Sequence, residues 1–408
     1  MMIKASDEPG LKRKSNKDGS FRWYWEARSD LAKRGYRPSS VRLHYPDTPD
    51  GNLQRAARCR MLWAEMLAWE SGGGAFARRG YDGTIRSLCN LFQTDEYSPY
   101  KKAKWNSQRL YDQSIKIIVS TVGDRVVRGR IGPDFQRWHS KWGEPKAKGK
   151  PARLTRAKHA IDTLRRVISF GVTQGFDDCV KVDVILGKLR FDTPAPRSEK
   201  LTREQVEAVR GKAHELGLHS IALATVLQFE LAFRQKDVIG EWEPCEEATG
   251  GIVHNGTRWV NGLTWSHVDA NMILRKAPVK TKRHGIEVEH DLKLYPMLIE
   301  ELARIPTGRR VGPMILSEAT GEPYKHRTFT QTWRRVAKAA GIPSHVKNMD
   351  ARAGAISEAY DSGADETSVM KLAGHRNRQT SARYNRGSLE QTSRVAMIRQ
   401  AKQKPNKP

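Results

Sequence analysis

Residues 372–384 read Leu-Ala-Gly-His-Arg-Asn-Arg-Gln-Thr-Ser-Ala-Arg-Tyr, and this short stretch does most to decide the fold. Gly374 follows an apolar run, a position typical of a residue that ends a helix. His375 comes next, and Tyr384 lies nine residues further along the chain. Taken singly, His375 is consistent with a helix cap and Tyr384 with an aromatic residue at the edge of a core. Residues elsewhere in the chain must therefore decide between these ordinary roles and a chemical one.

Three basic residues upstream extend this pattern. Arg352 lies 23 residues before His375. Arg234 ends a predicted apolar helix and precedes Asp237 by three residues. Lys280 lies in a basic turn between two predicted strands. Each of these charges alone is most simply explained as a solvated surface group, so only the joint pattern can set them apart.

These motifs together resemble the catalytic box of the tyrosine recombinases, the phage integrase family. The most specific part is Leu-Ala-Gly-His with a tyrosine nine residues later, downstream of Asp-x-Arg. Arg234 resembles the first arginine motif of the family, Lys280 with the following threonine resembles its catalytic lysine, and residues 265–269 fit the same pattern. The resemblance covers about residues 200–390 and extends more weakly over 83–190.

The resemblance implies a specific chemistry. Tyr384 would attack a DNA phosphodiester and form a 3′-phosphotyrosine, leaving a free 5′ hydroxyl. Arg234 and Arg352 would fork onto the two non-bridging phosphate oxygens. Lys280 would protonate the departing 5′ oxygen, and His375 would hydrogen-bond the phosphate. Because the ester conserves the energy of the phosphodiester bond, no cofactor, metal or ATP is expected.

Two features depart from the family pattern. The family usually has a histidine three residues before its second arginine, where this chain has Met349, which cannot transfer a proton. His345 is one candidate for its replacement. Met349 leaves open a catalytically impaired relative that binds DNA as a regulator, and a type IB topoisomerase, which acts as a monomer, is a further alternative. Residues 243–262, rich in glycine and polar residues, predict a surface insertion.

The charge of the chain favours nucleic acid as its partner. The 408 residues include 72 Lys and Arg against 45 Asp and Glu, a formal net charge of +27, and the pI is about 10.1. Residues 101–200 alone carry 23 Lys and Arg against 10 Asp and Glu. Such an excess is typical of proteins that bind a phosphate backbone.

Other classes of protein are disfavoured. The four cysteines form no CxxC pair and have no histidine at zinc-finger spacing, so a structural zinc site is not expected. No tract is long and apolar enough to suggest a membrane span, and the N-terminus lacks the apolar run of a signal peptide. We therefore expect a cytoplasmic, nucleoid-associated protein with no membrane partner.

The chain is long enough for roughly two or three domains. We predict an α+β protein that is mainly α with a small β-sheet. An accessory, arm-type DNA-binding module would occupy residues 1–82, and a helical core-DNA-binding domain 83–190. A proline-bearing linker over 191–199 would lead to the catalytic domain, 200–393, and to a polar C-terminal tail, 394–408, that is disordered from residue 402.

Local patterns support these assignments. Phe21, Trp23 and Trp25 alternate and would share one face of a strand, with Asp18-Gly19 as a hairpin turn. A helix with one apolar face is predicted after the threonine at position 155; that face comprises Ile161, Leu164, Val167, Ile168 and Val172. The catalytic domain would begin with a capping box formed by Thr202 and Gln205. Two strands over 272–277 and 286–290 would flank the basic turn.

The family resemblance also implies the partners. Double-stranded DNA at attachment sites would be the substrate, and a homo-tetramer would assemble on paired sites to integrate or excise a mobile element. Accessory DNA-bending or directionality proteins would bias the reaction. Apolar residues after Tyr384 would pack either on a neighbouring protomer or within the same chain; they are Leu389, Val395, Met397 and Ile398.

Overall fold

The computed structural model describes residues 8–15, 21–33, 36–70, 80–246, 250–385 and 389–403. The described chain is mainly helical with small antiparallel sheets, which confirms the predicted α+β class. It forms two compact units, Met1–Ala195 and Pro196–Pro408, whose boundary lies inside the predicted linker 191–199. No helix within the described ranges is both long and apolar enough to cross a membrane.

The first unit begins with a small antiparallel sheet. Its strands are β1 (Leu11–Ser15), β2 (Phe21–Glu26) and β3 (Ser40–Leu43), in the order β1-β2-β3. The helices of this part are α1 (Ser29–Lys33) and α2 (Pro49–Ala68). Trp25 is fully buried in the core of this part, whereas Phe21 is 46% exposed and has the guanidinium of Arg13 over its ring. Phe21, Trp23 and Trp25 share one face of β2; Trp25 is buried in the core beneath that face, and Phe21 lies exposed at the edge of the core. The predicted turn at Asp18-Gly19 lies outside the described residues.

The helices that follow pack around a separate apolar core. They are α3 (Ile85–Thr94), α4 (Trp105–Val122), α5 (Gly132–Gly143), α6 (Leu154–Thr173) and α7 (Asp177–Lys188). Helix α6 contacts all the others in this set. Its predicted apolar face is buried at Ile161, Leu164, Val167 and Ile168, and Val172 is partly buried beside them. The helix begins one residue before Thr155, which therefore lies in its first turn.

The second unit is built around one buried helix. Its helices are α8 (Arg203–Glu215), α9 (His219–Glu230), α10 (Gln235–Ile239), α11 (Pro296–Ala303), α12 (His326–Ala339), α13 (Ala351–Asp361), α14 (Glu366–Ala373), α15 (Arg378–Ala382) and α16 (Leu389–Gln403). Residues 220–229 of α9 are all buried, because α8, α11, α12 and α13 pack around it. Helix α8 begins with the predicted capping box: Thr202 Oγ1 accepts the Gln205 amide at 3.3 Å, and Gln205 Oε1 accepts the Thr202 amide at 3.1 Å.

Two small sheets complete the second unit. Their strands are β4 (Glu241–Pro244), β5 (Val253–His254), β6 (Thr257–Val260), β7 (Ile273–Lys276) and β8 (Val288–Asp291). The first sheet has the order β4-β6-β5, and the second is the antiparallel pair β7-β8. The β7-β8 pair is the hairpin predicted around the basic turn, and its loop carries Lys280.

The surface insertion predicted over residues 243–262 is not a loose loop. Its described residues supply β5, β6 and the second half of β4, and we call this sheet the inserted sheet. The indole of Trp259 lies so close to Gly262 that a Cβ there would approach it to 2.1 Å. Asn255 and Gly256 both have positive φ, 47° and 66°, as a tight hairpin turn requires. Gly256 therefore serves a tight turn and Gly262 serves close packing.

Helix α16 occupies the described part of the predicted tail, so the expected boundary after residue 393 falls inside a helix. Arg394 donates to the Asp361 carbonyl, and Gln391 Nε2 donates to Asp361 Oδ1 at 3.0 Å, which attaches α16 to α13. The predicted disorder from residue 402 is wrong for its first two residues, which end α16, and its other residues lie outside the described ranges. The apolar side chains of α16 are 52–79% exposed; they are Leu389, Val395, Met397 and Ile398.

Candidate active site

Backbone carbonyls hold Arg352 at the centre of the candidate site. It lies in the first turn of α13, after the 3-10 turn Asn348–Asp350, and is only 6% exposed. Its Nη1 donates to the Ala232 carbonyl at 2.5 Å, and its Nη2 donates to the Ala373 carbonyl at 2.7 Å. Burial and then the positive charge of Arg234 lower its pKa, but a guanidinium remains charged at neutral pH. Arg352 therefore joins the segment after α9 to the end of α14 and brings a fixed positive charge into the site.

A left-handed turn at the end of α14 places His375. Gly374 has a φ of 59°, and a Cβ there would lie 3.0 Å from the side chain of Pro278, so glycine permits both the turn and the close packing. His375 Nε2 lies 2.7 Å from Arg352 Nη2, and its Nδ1 lies 2.7 Å from Ser381 Oγ. Because a guanidinium only donates, Nε2 must accept, and Nδ1 carries the proton. Burial, followed by two nearby arginines, lowers the pKa of His375 to about 3, so the imidazole is neutral.

Tyr384 lies beside this imidazole. It follows α15, and its amide donates to the Ser381 carbonyl at 2.9 Å. Its ring stacks on His375, with ring centroids 5.8 Å apart and planes inclined by 13°. The ring is half-buried against the core of the unit, and its phenol interacts with Arg352. The tyrosine, imidazole and guanidinium are therefore contiguous.

Arg234 and Asp237 form a second charged pair at the site. Arg234 directly precedes α10, and Asp237, within that helix, is 1% exposed. Arg234 Nη1 and Asp237 Oδ2 are 3.8 Å apart, and neither atom has a hydrogen-bond partner among the described residues. Asp237 Oδ1 accepts the Val279 amide at 2.9 Å. A buried N–H without an acceptor favours the arrival of one, and a phosphate oxygen fits that requirement.

Lys280 lies next to Val279 in the β7-β8 loop. Its side chain reaches solvent at the rim of the site. Loss of hydration against the surrounding protein, followed by the charges of Arg234 and Arg352, nevertheless lowers the pKa of Lys280. A lowered pKa makes a lysine a better proton donor at neutral pH. Lys280 therefore lies within electrostatic range of both arginines.

The position usually held by histidine in the family is open to solvent. Met349 lies in the 3-10 turn before Arg352 and is 59% exposed. His345, considered as a replacement, has its Nε2 3.6 Å from Glu199 Oε2. None of the described contacts of His345 involves the cluster of arginines, histidine and tyrosine. The structure thus brings together Arg352, His375 and Tyr384, places the Arg234–Asp237 pair and Lys280 beside them, and leaves Met349 and His345 without a described contact to the cluster.

Two buried polar residues near the site were missed in the sequence. Ser381, which hydrogen-bonds the imidazole, is completely buried, and Lys276, the last residue of β7, is 4% exposed. The alternation that turns Leu274 inward also turns Lys276 inward. Ser381 lies about one helical turn before Tyr384. These signals indicate burial, but neither indicates which atom receives the hydrogen bond.

The comparison with protein families agrees with the geometry. Residues 256–390 match the profile of the phage integrase family. This range contains Lys280, Arg352, His375 and Tyr384, whereas Arg234 lies before it. The chain therefore carries a phage integrase family domain over residues 256–390, which confirms the predicted resemblance for that part of the chain. No curated protein matches the chain at a significant level of sequence similarity.

Solved structures show the same fold. A lambda integrase dimer bound to a COC′ core site matches with 16% identity and a TM-score of 0.56, covering 75% of this chain and 98% of that one. The Tn1549 transposon integrase in complex with a circular intermediate DNA matches with 12% identity and a TM-score of 0.58, covering 78% and 100%. A lambda integrase tetramer bound to a Holliday junction matches with 14% identity and a TM-score of 0.56, covering 95% and 99%. At these identities the likeness establishes the fold alone.

Proposed function

We propose that this protein is a site-specific DNA recombinase, an integrase that cleaves and rejoins DNA strands through a 3′-phosphotyrosine at Tyr384. The observation that carries the proposal is the continuous contact from Arg352 to His375 and from His375 to Tyr384. The phage integrase family domain supports it, as do the solved relatives, which are integrases bound to DNA.

In the cleavage step, Tyr384 Oη releases its proton to solvent and attacks the phosphorus, and the bond from phosphorus to the 5′ oxygen breaks. The transition state carries negative charge on two non-bridging oxygens, so preorganised donors lower the barrier. Arg234 offers its unpaired Nη1. A guanidinium has five N–H donors. Three of those of Arg352 bond to the Ala232 carbonyl, the Ala373 carbonyl and the imidazole, so the remaining two can bind the phosphate. Anchoring by carbonyls means that little reorganisation is needed when the phosphate binds.

His375 can assist only after its proton moves. In the structure Nε2 accepts from Arg352, so donation to a phosphate from Nε2 requires the other tautomer. The Ser381 hydroxyl is suited to this exchange, because it accepts from Nδ1 in one tautomer and donates to Nδ1 in the other. Lys280 then supplies the proton that the departing 5′ oxygen needs. Rejoining reverses these transfers, and the ester conserves the bond energy, so neither ATP nor metal is required.

The other parts of the chain fit a recombinase that acts on paired DNA sites. The basic helical part, α3 to α7, would bind the core site, and the N-terminal sheet with its exposed basic residues would bind accessory, arm-type sites. The exposed apolar side chains of α16 would pack on a neighbouring protomer in a tetramer. Accessory DNA-bending or directionality proteins would set the balance between integration and excision of a mobile element.

A second candidate function is DNA binding without cleavage, by a catalytically impaired relative that acts as a regulator. The observation that favours it is Met349, an exposed side chain that cannot carry a proton at the position where the family usually has histidine.

Covalent trapping separates these two functions. A nicked duplex made from the DNA that flanks the gene would be incubated with the protein in chelator and without ATP, and the reaction would be stopped with detergent. We expect a protein–DNA adduct that survives denaturation, because a phosphotyrosine ester is covalent. Tight binding with no adduct on several flanking sequences would refute the recombinase and favour the regulator.

Removing the Ser381 hydroxyl is expected to slow cleavage about tenfold, which corresponds to about 1.4 kcal/mol. Ser381→Ala leaves the buried Nδ1–H of His375 without an acceptor, which costs about 1–3 kcal/mol of stability. Single-turnover cleavage and thermal unfolding would be measured together. Thr225→Val is the matched control, because it removes another buried hydroxyl, hydrogen-bonded to Trp333, from the same unit. It should lower stability alone; equal cleavage rates for both variants would contradict a role for Ser381 in the site.

A further inference from the structure

Lys276 is an unusual buried charge close to the site. It ends β7, and its side chain points inward, whereas its neighbour Arg275 points outward to ion pairs with Asp269 and Glu289. Lys276 is 4% exposed, and among the described residues no carboxylate forms an ion pair with it. Burying an ammonium costs free energy unless hydrogen bonds compensate for the lost water. A lysine retained in such a place therefore calls for a structural or chemical reason.

The hydrogen bonds of Lys276 lead to the inserted sheet. Its Nζ donates to the Gly262 carbonyl at 2.9 Å and lies 3.5 Å from His267 Nε2. Burial lowers the pKa of Lys276 to about 8, Asp237 opposes that shift, and Lys282 adds to it. The ammonium is thus held by the Gly262 carbonyl.

The carbonyl that receives Lys276 is itself rigidly placed. Gly262 lies under the indole of Trp259, where no Cβ would fit. The indole N–H donates to the Ile239 carbonyl at 2.9 Å, and the Leu263 amide donates to the Val238 carbonyl at 3.0 Å. Both acceptors belong to α10, the helix that directly follows Arg234. Lys276 therefore connects β7, through the end of the inserted sheet, to α10.

A second connection reaches α10 only three residues later. The Val279 amide donates to Asp237 Oδ1 at 2.9 Å. The chain is consequently anchored to α10 directly at Val279 and indirectly, through Gly262, at Lys276, shortly before Lys280. With one anchor the loop could pivot, whereas two anchors fix the direction in which Lys280 leaves the strand.

We propose that Lys276 is a positioning residue that, by anchoring β7 to Gly262, holds Lys280 where it protonates the departing 5′ oxygen. Lys276 itself does not touch the reacting atoms. This inference rests on the proposed recombinase function. It assigns the inserted sheet a purpose, which is to provide the fixed carbonyl for that anchor.

Sulfur substitution at the leaving group tests this role. When the 5′ bridging oxygen is replaced by sulfur, Tyr384 still attacks phosphorus, but the phosphorus–sulfur bond breaks and a thiolate leaves. A thiol has a pKa of about 8.5, so the thiolate is a stable leaving group and needs no proton donor. A defect in proton donation should therefore affect the oxygen substrate and spare the sulfur substrate.

The experiment compares single-turnover cleavage of matched nicked duplexes with oxygen or sulfur at that position. We expect Lys276→Met to be about 10- to 100-fold slower than wild type on the oxygen substrate and within about threefold on the sulfur substrate. Lys280→Met should show the same selectivity to a larger extent. Lys276→Gln, which keeps N–H donors for Gly262, should recover part of the rate and remains informative if Lys276→Met fails to fold.

Lys293→Met is the matched control. Lys293 Nζ also donates to a backbone carbonyl, that of Asn271 at 2.9 Å, but its side chain is 57% exposed at the opposite end of the hairpin. This variant should cleave both substrates like wild type. Equal loss on both substrates for Lys276→Met, or no loss on either, would overturn the inference alone. Absence of any adduct with wild type would instead refute the proposed recombinase function.

Discussion

Replacing Tyr384 with phenylalanine is expected to abolish the covalent protein–DNA adduct while DNA affinity stays within about threefold of wild type. The substitution removes only the hydroxyl that attacks phosphorus. The ring keeps its stacking on His375 and its packing against the core, so the variant should fold normally. Affinity depends mainly on contacts between basic residues and phosphates, which this change leaves in place. Detergent-stable adduct and equilibrium binding to the same nicked duplex would be measured in parallel.

Tyr324→Phe is the matched control for this experiment. Tyr324 is a buried tyrosine of the same unit whose hydroxyl hydrogen-bonds Ser220 and Glu318, outside the cluster around Arg352. Loss of the Tyr324 hydroxyl should lower the free energy of unfolding without reducing the amount of adduct formed per folded molecule. An adduct that persists in Tyr384→Phe would assign the nucleophile to another side chain and contradict the proposed mechanism.

Replacing Arg352 with lysine is expected to slow cleavage by about a thousandfold, the effect typical of removing a charged group that stabilises a phosphoryl transition state. Lysine keeps the positive charge but not the planar fork. It cannot donate at once to the Ala232 carbonyl, the Ala373 carbonyl, His375 and a phosphate. A buried carbonyl left unpaired costs about 1–3 kcal/mol, so the melting temperature should also fall.

Arg210→Lys separates these two effects. Arg210 is another largely buried arginine of the second unit, and its fork binds Glu300 and Glu301. We expect this variant to lose stability and to retain its cleavage rate once it is folded. Single-turnover rates at saturating protein and thermal unfolding would be measured for both variants. An Arg352→Lys rate within about tenfold of wild type would show that a point charge suffices at this position.

The features that could be predicted from sequence depend on neighbours along the chain. The capping box at Thr202 and Gln205 and the apolar face of α6 follow from helix geometry over a few residues. The order and spacing of Arg352, His375 and Tyr384 likewise indicate a shared site before any coordinates are known. The helix signals involve residues close together along the chain, and secondary structure also forms between residues close together along the chain.

Composition alone did not predict the strands of residues 243–262. Residues 243–262 resemble a loop in composition, yet they form the inserted sheet. Gly262 is required by the indole of Trp259, and Gly256 lies in a turn with positive φ beside Asn255. Composition cannot distinguish a glycine that loosens a loop from one that admits an aromatic ring. Only the position of that ring in the folded chain makes the distinction.

The sequence by itself determined the chemical groups of this protein and their order: a strongly basic chain with two arginines, a lysine, a histidine and a tyrosine at defined spacing. The tertiary structure decided which atoms meet. Arg352 donates to a carbonyl 120 residues away, Lys276 to the inserted sheet, and His375 to Ser381. It also decided that His375 is neutral, because burial and neighbouring charge set its pKa. Hydrogen bonds and desolvation depend on distances through space, and spacing along the chain does not specify those distances.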